Sequence, residues 1–140
     1  MDNLKRGALG IDLMISELVD ADPGITHAAV ISTDGRPLAT TLHLAPGRAE
    51  LLASYACELL KLAWGAATGF NAGSAHQVMI EMGGGVLLTQ TINDHLGLAV
   101  LADPECDLGN VAWHITHVAN EVRKTVTPEV QKALHDTRFR

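Results

Sequence analysis

The chain has 140 residues, a length that suits one domain around one core. Apolar residues make up 47% and charged residues 19%, which excludes a compositionally disordered chain. Aromatics at 4% require a core of Leu, Val, Ile and Ala. The net charge is −6, with five basic and fourteen acidic residues before Arg123 and five basic and two acidic residues from Arg123 to Arg140. An acidic body argues against non-specific nucleic-acid binding, and the basic end reads as a solvated tail.

Leu9, Leu13, Met14, Leu18 and Val19 recur at helical spacing, which predicts an amphipathic helix from about Leu4 to Asp20. Asp22-Pro23-Gly24 ends it. Thr26 to Ser32 reads as a strand, Asp34-Gly35 as a tight turn, and Pro37 to Leu42 as the returning strand. A long helix is expected from Arg48 to Phe70, stopped by Asn71-Ala72-Gly73-Ser74. Three strands follow: Ala75 to Met82, Val86 to Ile92 and Leu96 to Ala102, joined by Gly83-Gly84-Gly85 and Asn93-Asp94-His95. Asp103 or Asp107 caps a last helix, whose stripe is Leu108, Val111, Ile115, Val118 and Val122. Short turns between strands imply an antiparallel sheet and an α+β class. The domain is placed at residues 1–126 and a polar, basic tail at 127–140.

The long helix carries the main functional hint. Its polar residues, Glu50, Ser54, Glu58, Lys61 and Thr68, occupy one narrow stripe. The apolar remainder is far wider than one sheet-facing side requires. Ala53, Ala56, Cys57, Ala63, Gly65 and Ala67 would let another helix approach closely. A second cover is therefore expected, either another copy or a partner protein.

Catalytic and ligand chemistry finds little support. Gly83 to Gly85 lies between strands with no Lys-Ser or Lys-Thr after it, so it reads as a hairpin turn rather than a phosphate loop. His114 and His117 share a helix face but lack a defined set of further ligands. Cys57, in an apolar helix, has no base near it in sequence, and Cys106 belongs to no CxxC. Asp103, Glu105 and Asp107 sit where a helix start stabilises negative charge. No catalytic residue, metal or cofactor is assigned. The chain shows no secretory leader and no stretch of roughly 18 apolar residues, so a soluble, cytoplasmic protein is expected.

Two segments, Val30 to Ala39 with its "DG" turn and Leu98 to Gly109 (LAVLADPECDLG), together with the element order, resemble the roadblock (dynein light chain) family, in its short bacterial and actinobacterial form. The resemblance spans about Leu9 to Val126. It implies a five-stranded antiparallel sheet with the long helix on one face and the two terminal helices on the other. It also implies a non-enzymatic homodimer that binds a small Ras-like GTPase, sometimes in a signalling module with a membrane sensor kinase, and that is recruited to the membrane by such partners. The strand from Ala75 to Met82 is the expected dimer edge. Ala53, Cys57, Leu60, Gln77, Met79 and Glu81 are the expected dimer contacts. Glu50, Ser54, Glu58, Lys61 and Trp64 are the expected docking residues, with Trp64 as anchor. Arg48 is the one arginine near that face that a finger mechanism would have. The alternatives are a ligand-sensing α/β module, a general interaction scaffold, and an enzyme, the last lacking any convergent acid–base set.

Overall fold

The computed structural model describes residues 3–130 and 132, with side chains described from Gly10 onward. The order is α1 (Asn3–Ala21), β1 (Ile25–Ser32), β2 (Pro37–Thr40), α2 (Pro46–Gly69), β3 (Gln77–Met82), β4 (Gly85–Thr91), β5 (Leu96–Ala102) and α3 (Leu108–Thr125). The strands form one antiparallel sheet in the order β2-β1-β5-β4-β3. The α+β architecture with five antiparallel strands is the one expected.

The sheet separates two cores. On one face α1 and α3 bury Ile11, Ile15, Leu18, Val111, Ile115, Ala119 and Val122 against Val30, Leu88, Leu98 and Val100. On the other, α2 buries Leu52, Ala53, Ala56, Cys57 and Leu60 against Ala29, Ile31, Leu87 and Ala99. The alternation along β4 and β5 puts successive residues in different cores, as period-2 geometry requires.

Local chemistry explains the boundaries. Gly35 sits at φ +88° in the β1–β2 turn, a conformation that costs glycine little, and its N–H donates to the Ser32 carbonyl at 3.0 Å. Pro46 lies in the first turn of α2, two residues before the start expected at Arg48. Its missing N–H is one that a helix start leaves unpaired anyway. Gly85 joins β4, so the turn after β3 is Gly83-Gly84 alone. Asp107 is the α3 cap: its carboxylate accepts from the Asn110 N–H at 3.1 Å. Asp103 instead closes the preceding turn, accepting from the Glu105 N–H at 2.9 Å.

The α1 stripe differs from the expected one. Ile11, Ile15 and Leu18 face the sheet while Leu13 is exposed, because the buried series advances by three and four residues from Ile11 rather than from Leu9. The side chain of Leu9 lies outside the described residues. Asp22, just after α1, is buried; its Oδ1 accepts from the Gly24 N–H and its Oδ2 meets His114 Nδ1, both at 2.9 Å. That carboxylate ties the α1–β1 junction to α3. Past α3, Val130 returns to the core beside α1 and α3. Residues 131 and 133–140 of the expected basic tail lie outside the described residues.

Candidate interaction surface

α2 has 24 residues, about 36 Å at 1.5 Å per residue. One side is sealed against the sheet. Ala53, Cys57 and Leu60, expected at a dimer contact, lie on that sealed side. The Cys57 thiol donates to the Thr33 carbonyl at 3.0 Å. These three residues are therefore core of their own chain, and the small side chains serve helix-on-sheet packing rather than helix-on-helix packing.

The outer side of α2 exposes Glu50, Ser54, Glu58 and Lys61. Beside them runs an apolar stripe: Leu51 is 52% exposed, Tyr55 61% and Leu62 72%, with Leu59 half-buried. Its spacing of three and four residues places it on the flank of the helix facing β3. There Leu51, Tyr55 and Leu59 border a groove of about 390 Å³, formed with Ile80 and Met82 of β3 and with Leu87 and Leu101 behind them. Arg48 stands at the same groove. The helical periodicity of 51, 55, 59 and 62 was legible in the sequence, but only the position of the sheet shows that these residues stay uncovered.

Trp64 is not on this stripe. It is half-buried against the α2 core, and its indole N–H donates to the Thr91 hydroxyl at 3.1 Å. The expected docking anchor is thus a fastener between α2 and β4. It also walls a polar notch of about 410 Å³ with Thr68, Ser74, Thr91 and Asp94.

β3 is an edge strand, paired with β4 alone. Val78, Ile80 and Met82 point to the α2 face; Gln77, Met79 and Glu81 point to the opposite face. Among the described residues no helix covers that second face at β3, and Met79 and Glu81 are exposed there. Gln77 donates through Nε2 to Gln90 Oε1 at 3.1 Å. An edge without Pro and with a single charge, flanked by exposed Leu and Tyr, is a surface that natural sheets ordinarily cover.

A second cluster lies at the N-terminal end of α3. Asp22, Asp103, Glu105, Cys106, Asp107 and Asn110 line a notch of about 340 Å³. Partial burial pushes the Cys106 thiol up, and the negative charges of Asp22, Asp103 and Asp107 push it further. That makes it a poor nucleophile at neutral pH. Among the described residues no group of three or more His, Cys, Asp or Glu is placed to hold a metal. Among the same residues no helix is long and apolar enough to cross a membrane.

A two-core, five-stranded sheet with a long, half-uncovered helix beside an open edge defines the roadblock class of α+β domain. The sequence profile of the Roadblock/LC7 domain matches residues 11–102. The chain belongs to the Roadblock/LC7 family. It is similar to a Roadblock/LC7 domain from Streptomyces avermitilis at 30% identity, covering 81% of this chain and 94% of that one, with a TM-score of 0.76. It is similar in fold to Myxococcus xanthus MglB at 17% identity, covering 82% and 93%, with a TM-score of 0.74. A more distant likeness is to Acanthamoeba castellanii profilin IA, at 18% identity, 81% and 96% coverage and a TM-score of 0.52. No curated protein shows significant sequence similarity to the chain.

Proposed function

We propose that this chain is a non-enzymatic homodimeric regulator or scaffold that docks a small Ras-like GTPase and modulates its nucleotide cycle or its localisation within a signalling module. The observation that carries the reading is the joint exposure of the Leu51, Tyr55 and Leu62 stripe and the unpaired β3 edge. Apolar surface and free peptide groups side by side favour burial by a second protein surface. A second copy covers both at once. The polar outer side of α2, Glu50, Ser54, Glu58 and Lys61, then remains for the GTPase. A titratable set converging on a substrate-sized cleft would argue for an enzyme. Here the apolar groove offers Arg48 and Tyr55 as its only titratable lining residues among those described. The protein works in the cytoplasm and reaches the membrane through its partners.

The test is capture from a native lysate on the purified protein, run in parallel with GDP and with a non-hydrolysable GTP analogue. A small GTPase retained in either lane supports the reading, and the difference between lanes gives the preferred nucleotide state. A folded bait that retains no GTPase in either lane overturns it. A ligand-sensing role is favoured by one feature alone, the polar notch beside Trp64. It would show as a small molecule that raises the unfolding temperature of the protein and loses its effect in Thr91→Val.

A further inference from the structure

The groove between α2 and β3 has a shape and a charge that docking of a GTPase leaves unused. Leu51, Tyr55 and Leu59 recur every four residues along one flank of α2 and form one wall, and Ile80 and Met82 form the other. From Arg48 to Leu59 the helix advances about 16 Å. Apart from Arg48 and the Tyr55 hydroxyl, no lining side chain carries a nitrogen or an oxygen. Arg48 is the one charged lining residue, and it stands at one end of the series. It is exposed and lies in the first turn of α2, where the helix dipole adds positive potential. Among the described residues no carboxylate pairs with it. Glu50, the nearest acid in the sequence, lines a different hollow against β2.

We propose that this groove binds one free long-chain fatty acid, with the alkyl chain laid along Leu51, Tyr55 and Leu59 and the carboxylate on the Arg48 guanidinium. The inference goes beyond the docking reading and does not depend on it.

Size, shape and charge each narrow the ligand. Small-molecule sites are mostly apolar hollows with a few placed polar groups, and this groove has that make-up. A cavity of about 150 Å³ holds the six carbons of benzene, so 390 Å³ suits a chain of about fifteen carbons. That is one acyl chain. The two chains of a phospholipid do not fit, which singles out a free fatty acid over a membrane lipid. The elongated apolar wall favours each added methylene by burial, so a short carboxylate would leave most of it wet. At the end of the groove a guanidinium offers two parallel N–H groups to a carboxylate. A long-chain amine would set like charge against Arg48 instead. A second copy laid over Leu51, Tyr55 and Leu62 would shield a bound chain from water, so the ligand and the self-contact are compatible.

Equilibrium dialysis of the 140-residue chain against radiolabelled myristate, kept below its micelle concentration, reads the site directly. Saturation at one myristate per chain is expected. Arg48→Gln removes the charge-assisted pair and is expected to weaken binding about tenfold. Tetradecyltrimethylammonium has the same chain on a cationic head and is expected to bind the unaltered protein roughly tenfold less tightly than myristate. Leu51 is 52% exposed and belongs to neither core, so Leu51→Glu is expected to abolish myristate binding with the circular dichroism spectrum unchanged. Absence of saturable binding to the folded protein overturns the inference. An unchanged affinity in Arg48→Gln overturns it, as does equal retention of the cationic amphiphile. Flotation with phosphatidylglycerol vesicles without uptake of free myristate also overturns it, since the groove would then serve a membrane surface. A folded chain that takes no myristate yet retains a GTPase overturns this inference alone and leaves the docking reading standing. Myristate bound at one per chain with no GTPase retained supports it while the docking reading falls.

Discussion

The indole N–H of Trp64 donates to the Thr91 hydroxyl at 3.1 Å, and that hydroxyl donates in turn to the Ala75 carbonyl at 3.2 Å. The chain of bonds fastens the last turns of α2 to β4 and holds the segment that leads into β3. Trp64→Phe keeps most of the ring's packing and removes the bond. It is expected to lower stability by about 1 kcal/mol in urea titration while leaving the circular dichroism spectrum unchanged. Unchanged stability would mean that the bond contributes nothing net.

Leu62 is 72% exposed and belongs to neither core. Leu62→Glu is expected to leave the helical signal intact and to shift the sedimenting species from dimer to monomer, because it buries a charge in the proposed contact. A Leu62→Glu variant that stays dimeric would place the self-contact elsewhere on the molecule.

Leu60 sits over Gly97, where an added Cβ would lie 2.5 Å from its Cδ1. Leu60 is fully buried, so it has little room to yield. Gly97→Ala is expected to cost about 1–3 kcal/mol through overpacking. In the double variant with Leu60→Ala the two costs should fall short of additive, since the second change removes the clashing atom. Additive costs in chemical denaturation would show that the two positions do not press on each other.

Thr89 is fully buried, and among the described residues its hydroxyl has no hydrogen-bond partner. Thr89→Val keeps the shape and removes the unpaired group. It is expected to raise stability by about 1 kcal/mol, measured as a higher denaturation midpoint at constant slope. A loss of stability would reveal a partner for the hydroxyl.

The Cys106 thiol is held above its ordinary value, first by partial burial and then by the carboxylates of Asp22 and Asp103. Less thiolate is therefore present at a given alkaline pH, and alkylation by iodoacetamide should show its half-maximal rate at a higher pH than a free thiol does. Asp103→Asn, which keeps the oxygen that accepts from Glu105, should move that midpoint down. The sign for stability follows: the folded form holds the proton more tightly, so the contribution is full below the unfolded thiol value and fades as pH rises through the folded one.

Element order, strand count and the antiparallel class were legible because turns and periods are local properties. The Asp34-Gly35 turn, the 2-period of β3 and the 3.6-period of α3 are each written within a few residues. The excess apolar width of α2 was legible too, for the same reason. Which side of α2 would be sealed was not. Ala53, Cys57 and Leu60 look like a close-packing helix face in sequence, yet they meet Ala29, Ile31, Leu87 and Ala99 from three different strands. Trp64 looks like an exposed anchor until Thr91, 27 residues away, supplies a partner for its N–H.

By itself, then, the sequence determined the helices, the strands, their pairing sense and the excess apolar width of the long helix, since each depends on hydrophobic period and turn chemistry. Tertiary structure alone decided that Leu51, Tyr55 and Leu62 stay exposed beside an open β3 edge, that Ala53, Cys57 and Leu60 belong to the interior, and that Trp64 is half-buried against them. The rotation of a helix on a sheet is set by contacts between residues far apart in the chain, and no local pattern carries it.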